Sequence, residues 1–215
     1  MEKTKEEVLR YLGRQGQKVP EELDNLVREC IILMRKAASF RQVRLLFPIF
    51  HDSSGLFLTG TELILKGKDI ARHLSGCGQA VLLAATLGAE ADTLIHKWKR
   101  VDLTRSYVLD ACGTQLVEEC CDEIQRQIQT EAAASGLVAT QRFSPGYGDF
   151  LLDIQPNIIA ALNADRRIGL TCTEHFILLP RKSITALIGL GEKTCRHMYY
   201  CNGCSLHKTC NFRKG

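Results

Sequence analysis

The spacing of apolar side chains divides the chain into helical and extended stretches. Apolar residues recur every three or four positions between residues 4 and 13 and again after Pro20, which predicts two amphipathic helices. From Phe40 to Phe50 they alternate with other residues, and from Gln79 to Leu87 they are nearly continuous. These patterns predict a half-buried strand and a fully buried one. Ile184 to Leu190 predicts a further strand.

Between these stretches, a helix is predicted from Glu90 to Arg100, and a longer one, capped by Asp102 or Thr104, reaches Ala134. Shorter elements complete the pattern: extended runs at 61–65, 136–140 and 177–179, and helices at 68–74 and 156–164, the last with Asp153 as its cap. Strands and helices mix without regular βαβ alternation, which favours an antiparallel sheet. The sequence therefore predicts an α+β fold with an antiparallel twisted sheet flanked by helices.

One stretch, Gln141 to Asp149, combines a tight turn with side chains suited to a ligand. Pro145 fixes φ and Gly146 permits positive φ, so we expect the chain to reverse here. Arg142 and Tyr147 flank the turn, and a guanidinium can hold a carboxylate with two parallel hydrogen bonds. The Pro-Gly backbone can also approach a ligand closely. The alternative is an ordinary surface turn with a snorkelling Arg and a half-buried Tyr.

The same stretch resembles a known family. Arg142-x-Ser144-Pro145-Gly146-Tyr147 is similar to the Arg-x-x-Pro-Gly-Tyr signature of the activation domain of cobalamin-dependent methionine synthase. Ala80 to Gly88 resembles that domain's apolar strand ending in Thr and Gly. Gly169 to Pro180 resembles its Gly-x-x-Leu-Thr-Glu-Ser-Phe-x-x-x-Pro segment, with small differences in spacing. The resemblance extends from about residue 60 to residue 191 and implies the fold of that domain.

The resemblance implies reductive reactivation of a corrinoid (cobalamin) methyltransferase protein, with S-adenosylmethionine as the methyl donor. Arg142 would hold the carboxylate of this ligand, and Ser144 and Gly146 would contribute backbone contacts on either side of Pro145. Tyr147 would pack beside the ligand, where the face of its ring favours the sulfonium cation. The family's acidic residue that meets the ligand's amino group lies in an N-terminal region, and this sequence contains no matching motif there.

The sequence contains no corrinoid-binding motif and no methyltransferase domain. The resemblance therefore implies a stand-alone module, or one part of a split methionine synthase, whose cobalamin lies on a separate chain. The corrinoid protein or methionine synthase core would be its partner, and flavodoxin or ferredoxin would be the electron donor. Whether the module itself counts as an enzyme is left open by the sequence.

Composition and charge restrict the setting. No apolar run reaches membrane-spanning length, and the charged N-terminus lacks the apolar core of a signal peptide, so a cytoplasmic protein is expected. Ten cysteines then indicate thiols or metal ligands in place of a disulfide framework. All 24 acidic residues precede residue 193, so that part carries 23 − 24 = −1 and the remainder carries +5. Such a basic end could attract a polyanion or an acidic protein.

Four of the cysteines lie close together near the C-terminus, and they are Cys195, Cys201, Cys204 and Cys210. Four thiolates on a short segment with little apolar content indicate a metal site, either closed tetrahedral zinc or a [4Fe–4S] cluster. Reactivation needs one electron, which favours the cluster. The sequence thus predicts an N-terminal helical segment at 1–39, an activation-domain-like core at 40–192 and a Cys-rich tail at 193–215.

The rival hypothesis is a non-enzymatic adaptor whose basic tail is stabilised by zinc and binds protein or nucleic acid. Nucleic-acid binding is the weaker half of this alternative. Single-strand binding surfaces interleave basic residues with aromatic platforms, and the tail offers only Tyr199, Tyr200 and Phe212.

Overall fold

The computed structural model of the protein describes residues 2–52 and 55–192. Its elements in chain order are α1 (Glu2–Tyr11), α2 (Glu21–Ala37), β1 (Arg41–Asp52), β2 (Gly55–Leu58), β3 (Ile64–Leu65), α3 (Lys68–His73), β4 (Cys77–Thr86), α4 (Ala89–Lys99), α5 (Leu103–Ala134), β5 (Val138–Ala139), a 3₁₀ turn (Leu152–Ile154), α6 (Gln155–Leu162), α7 (Ala164–Ile168), β6 (Thr171–Cys172), β7 (Leu178–Leu179) and β8 (Ser183–Gly191).

Six strands form one sheet in the order β3-β2-β1-β4-β8-β5, and every neighbouring pair in it is antiparallel. The strands β6 and β7 form a separate antiparallel pair. The sheet follows the apolar runs of the sequence, since its centre is the nearly continuous apolar strand β4, flanked by β1 and β8. The α+β fold with an antiparallel sheet is confirmed.

Helices cover both faces of the sheet, and β4 contributes to a core on each side. Leu82 packs in the cluster that contains residues of α3, α6 and α7. Its neighbour Leu83 packs on the opposite face, against the C-terminal half of α5. Ala85 joins a further cluster formed with α1, α2, α4 and the N-terminal half of α5. Because successive side chains of a strand point to opposite faces, a strand covered on both sides must be apolar throughout.

The longest helix, α5, extends along one face of the molecule and ends near the edge strand β5. It has 32 residues, so its length is about 48 Å at 1.5 Å per residue. The carboxylate of Asp102 accepts a hydrogen bond from the backbone N of Arg105 at 3.0 Å, which confirms Asp102 as the cap. Cys112 and Cys121 lie buried on the side of α5 that faces the core. Among the described residues, no helix has the length and apolar character needed to cross a bilayer.

The structure corrects one sequence expectation. Asp153 does not cap α6, because it lies inside the 3₁₀ turn and the residue before α6 is Ile154, which makes no side-chain capping bond. The strands predicted at 177–179 and 184–190 are confirmed as β7 and β8. They belong to different sheets, since β7 pairs with β6 and β8 pairs with β4.

Candidate functional site

The segment from Gln141 to Asp149 begins as a continuation of edge strand β5. Thr140 donates its backbone N–H to the carbonyl of Gly189 at 2.8 Å. Phe143 and Leu187 exchange two backbone hydrogen bonds, of 2.8 and 2.9 Å. The start of the segment is therefore fixed to β8 before the chain turns away from the sheet.

The reversal predicted at Pro145 and Gly146 is confirmed. The backbone N of Tyr147 donates to the carbonyl of Ser144 at 3.1 Å, and Gly146 has φ of 93°. Proline at the second position and a positive φ at the third fit a type II turn, in which glycine is preferred at the third position. A further bond of 2.6 Å, from Gly146 N to the carbonyl of Phe150, closes the loop.

The far end of the segment is attached to α3. The two carboxylate oxygens of Asp149 accept the backbone N–H groups of Lys68 and Asp69, at 2.6 and 2.9 Å. The chains approach so closely that a Cβ on Gly67, where φ is 131°, would lie 2.7 Å from Asp149 Oδ1. Asp149 thus supplies to the first turn of α3 the capping oxygen that Gly67 lacks. No sequence signal linked Asp149 to a helix about 80 residues earlier in the chain.

On one side of the segment lies a buried group of uncharged side chains, the neutral cluster, formed by His73, Thr140, Phe143 and Phe150. His73 Nε2 lies 2.9 Å from both the carbonyl oxygen of Gln141 and Thr140 Oγ1. The rings of His73 and Phe143 are 4.9 Å apart, and those of Phe143 and Phe150 are 6.1 Å apart. Burial lowers the pKa of His73 to about 4, against the opposing effect of its bond to Gln141, so the ring is neutral at pH 7.

On the other side lies the charged triad of Arg142, Glu118 and Asp122. Arg142 Nη2 donates to Glu118 Oε2 at 2.9 Å and to Asp122 Oδ1 at 2.8 Å. Glu118 and Asp122 are four residues apart on α5, so they project from the same face of the helix. Exposure increases outward, from 13% for the Arg142 side chain to 29% for Glu118 and 55% for Asp122. The triad carries a formal charge of −1 at neutral pH.

The geometry of the triad limits how Arg142 can receive a ligand. A guanidinium has five N–H groups, and Glu118 and Asp122 both bond to the same nitrogen, Nη2. An arginine can bind a carboxylate through two parallel hydrogen bonds in two ways, from Nη1 and Nη2 or from Nε and Nη2. Both ways use a hydrogen of Nη2. A ligand carboxylate can therefore take a single bond from Nη1 or Nε while both acids remain, and a two-pronged bond only if one acid leaves. The role of Arg142 in holding a ligand stays a prediction.

Beyond the bridge between Phe143 and Leu187, part of the edge of β8 has no strand partner among the described residues. Among residues 2–52 and 55–192, β5 and Phe143 pair with β8 only from Leu187 to Gly191, so no strand adjoins the stretch 183–186 on the side away from β4. Leu187 bonds to Phe143, and backbone groups two positions apart point to the same side of an antiparallel strand. Thr185 therefore directs its backbone N–H and C=O to this edge, but the residue is only 2% exposed, so the edge is covered by other parts of the molecule.

The remaining predicted contact residues occupy the surface of the turn. Tyr147 is 46% exposed and its ring packs edge-on against Phe143, with 5.8 Å between centroids. Ser144 is half-buried. Beneath the triad, burial raises the pKa of the Cys121 thiol to about 12, so Cys121 is an inert core residue and no nucleophile. Sequence reasoning missed Glu118 and Asp122, although their spacing of four on a predicted helix was visible.

The predicted metal ligands cannot be placed in this arrangement. Cys195, Cys201, Cys204 and Cys210 lie outside the described residues. Within the described ranges, no three His, Cys, Asp or Glu side chains are grouped so that they could hold a metal ion. The metal site of the tail stays a prediction.

Comparison with known proteins identifies solved structures of similar shape. The crystal structure of the MetH reactivation domain bound to AdoHcy matches with a TM-score of 0.61 over 83% of this chain and 67% of that chain. The two chains share a fold. Their sequences are 15% identical, so the likeness concerns the fold alone. No protein-family model and no curated protein sequence matches the chain. The activation-domain fold implied by the sequence resemblance is thereby confirmed.

Proposed function

We propose that this chain binds S-adenosylmethionine beside the segment 141–149 and acts in the reductive reactivation of a corrinoid protein carried on a separate chain. The observation that carries this proposal is the shared fold with a reactivation domain that was crystallised with AdoHcy. The charged side chain of Arg142, which precedes the turn and pairs with Glu118 of α5, supports a ligand site there.

The residues of the segment fit the chemical groups of this ligand. Arg142 offers Nη1 and Nε to the carboxylate, since its bonds to α5 use Nη2. Tyr147 presents an exposed ring beside the turn, and an aromatic face attracts a cation such as a sulfonium. When bound, S-adenosylmethionine supplies the methyl group, and the protein contributes position and electrostatics.

The tail and the partners belong to the same proposal. We place the N-terminal helical segment at 1–39, the core at 40–192 and the Cys-rich tail at 193–215. In this tail Cys195, Cys201, Cys204 and Cys210 would hold a [4Fe–4S] cluster, which would supply one-electron chemistry for the corrinoid. Flavodoxin or ferredoxin would supply that electron. Protein purified without oxygen should then contain about four iron atoms per chain. A colourless protein with stoichiometric zinc would favour the adaptor hypothesis.

The ligand proposal is tested by calorimetric titration of S-adenosylmethionine into the wild-type protein, Arg142→Ala and Arg142→Lys. A charge-assisted hydrogen bond contributes about 1.5–3 kcal/mol, so Arg142→Ala should weaken binding by about ten- to a hundredfold. Arg142→Lys should restore part of the affinity, because an ammonium keeps the charge but loses the planar geometry.

Arg126→Ala is the matched control for this titration. Arg126 also forms an ion pair with a carboxylate of α5, Glu123, but its side chain is 67% exposed. Affinity should be unchanged in this variant. Absence of binding by the wild type at millimolar ligand would refute the ligand proposal, and equal binding by Arg142→Ala would remove the site from this segment.

Reactivation itself is tested with a corrinoid protein from the same organism. The chain should bind its partner more tightly in the Co(II) state than in the methylated state, because a binding partner shifts an equilibrium only by its preference between the states. Equal affinity for both states would contradict the reactivation role and leave ligand binding untouched.

A further inference from the structure

We propose that Asp122 is a specificity-determining residue that receives the α-ammonium group of the ligand, and that the charged triad thereby selects a cationic ligand over a neutral one. This inference rests on the proposed function, since it assumes that the amino-acid part of S-adenosylmethionine binds at Arg142. It assigns a role to a side chain of α5, which lies outside the segment 141–149.

The hydrogen bonds within the triad leave unused donors on Arg142 and an unused acceptor oxygen on Asp122. Arg142 keeps Nη1 and Nε for a ligand carboxylate, because Glu118 and Asp122 both bind Nη2. Asp122 uses Oδ1 in that bond, and a carboxylate accepts hydrogen bonds at both oxygens. In an α-amino acid the carboxylate and the ammonium are attached to the same carbon. A ligand whose carboxylate reaches Arg142 therefore carries its ammonium into the neighbourhood of Arg142's own partners.

Exposure distinguishes the two acids. Asp122 has 55% of its side chain exposed, whereas Glu118 has 29% and lies deeper against α5. A ligand that approaches from solvent meets Asp122 first. Glu118 then continues to fix the guanidinium while Asp122 turns toward the ammonium. Asp122 is thus the member of the triad that can change partners without leaving a buried charge unpaired.

The charges of the α5 residues next to the triad also support a role for Asp122 in binding the ammonium. The adjacent acids of α5 have cations of their own: Glu119 pairs with Arg35 at 3.0 Å, and Glu123 pairs with Arg126 at 2.8 Å. The surplus of one negative charge therefore belongs to the triad. The surplus negative charge would repel a ligand whose only charged group is a carboxylate. A zwitterion presents a compensating ammonium, and a sulfonium adds a further positive charge.

S-adenosylmethionine and AdoHcy differ by that sulfonium charge. The carboxylate, ammonium and sulfonium of the first sum to +1, whereas the second is neutral overall. At a partly exposed site, the attraction of one charge for another a few ångströms away corresponds to a preference of about three- to tenfold. The triad would then favour the methylated ligand and promote release of the demethylated product. Salt should reduce this preference, because the site is open to solvent.

The experiment compares three probes, S-adenosylmethionine, AdoHcy and 5′-methylthioadenosine, which lacks the amino-acid group. They are titrated into the wild type, Asp122→Asn and Glu123→Gln. Asp122→Asn should weaken S-adenosylmethionine by about tenfold and AdoHcy by about threefold, which narrows the preference between them, while leaving methylthioadenosine unchanged. Glu123→Gln removes the same charge from the adjacent residue, which has 52% exposure. It should change none of the three affinities.

The outcomes separate this inference from the proposal beneath it. If the wild type binds S-adenosylmethionine and Asp122→Asn binds it equally well with the same preference over AdoHcy, the role of Asp122 is refuted and the ligand site stands. Tighter binding by Asp122→Asn also refutes it, because Asp122 would then compete with the ligand carboxylate for Arg142. If the wild type binds no probe, the proposed function and this inference fail together.

Discussion

The neutral cluster and the charged triad flank the same few residues, Thr140 to Phe143, but they hold them by different means. In the neutral cluster, His73, Phe143 and Phe150 are at most 9% exposed. In the triad, exposure rises to 55% at Asp122 and one negative charge is uncompensated. The first arrangement excludes water and satisfies its polar groups internally, whereas the second keeps its charges accessible to solvent.

This difference indicates a division of labour within one segment. Burial of aromatic side chains contributes strongly to the free energy of unfolding, whereas exposed ion pairs contribute little. A surplus charge at the surface is instead suited to binding. We therefore expect substitutions in the neutral cluster to change stability and substitutions in the triad to change ligand affinity. Each prediction below can separate the two sides further or show that they act alike.

The largest effect is expected from Phe143→Ala. Phe143 is 9% exposed and its ring contacts His73, Tyr147 and Phe150, so truncation leaves a cavity in the centre of the neutral cluster. The free energy of unfolding should fall by about 3–5 kcal/mol in urea denaturation. Leu151→Ala is the matched control, because Leu151 lies in the same loop with 64% exposure. A loss below about 1 kcal/mol for Phe143→Ala would contradict a stabilising role of the neutral cluster.

The contrast also explains which features of the site the sequence could reveal. The reversal of the chain was predicted from Pro145 and Gly146, because their backbone preferences act locally. The buried strand β4 was predicted from its apolar run, which is also a local feature of the sequence. The attachment of Asp149 to α3 and the pairing of Arg142 with α5 depend on residues far away in sequence, which only the folded chain brings together. Arg142 and the four-residue spacing of Glu118 and Asp122 were visible in the sequence, and the ion pairs between them were not.

The second prediction concerns pH. His73 has a pKa lowered to about 4 by burial, against about 6.5 in an unfolded chain. The unfolded state therefore binds more protons between these values, and stability rises with pH across that window. The contribution is fully present above about pH 6.5 and is lost as pH falls through about 4, with a total of about 3 kcal/mol. Urea denaturation of the wild type at pH 7 and pH 5 measures part of this loss.

His73→Gln provides the comparison for that measurement. The variant lacks the titrating ring, so its stability should change less between pH 7 and pH 5 than that of the wild type. If both proteins lost the same stability between pH 7 and pH 5, the loss would come from other groups, and the proposed titration of His73 would be wrong.

The third prediction concerns Asp149, which lies on neither side of the segment and fixes its far end. Asp149→Ala removes the oxygens that accept the backbone N–H groups of Lys68 and Asp69. Loss of a capping residue costs about 0.5–2 kcal/mol, and the same decrease in the free energy of unfolding is expected here. Asp153→Ala is the control, because Asp153 caps no helix. Equal effects of the two substitutions would contradict the capping role of Asp149.

The smallest effect on stability is expected from Arg142→Gln, although Arg142 makes two ion pairs. Removing the cation leaves Glu118 and Asp122 facing each other four residues apart, which costs a few tenths of a kcal/mol. Both acids are partly exposed and regain water, so the total loss should stay below about 1 kcal/mol. Lys182→Gln tests an equally covered cation that pairs with a carboxylate of the same helix, α5: the Lys182 side chain is 11% exposed and pairs with Asp110 at 2.9 Å. Urea denaturation without ligand, at low and high salt, should give similar small losses for both variants, while only Arg142→Gln weakens S-adenosylmethionine. If Arg142→Gln lowered the free energy of unfolding as much as Phe143→Ala does, the main role of the triad would be to stabilise the fold. Its surplus negative charge would then require an explanation other than ligand binding.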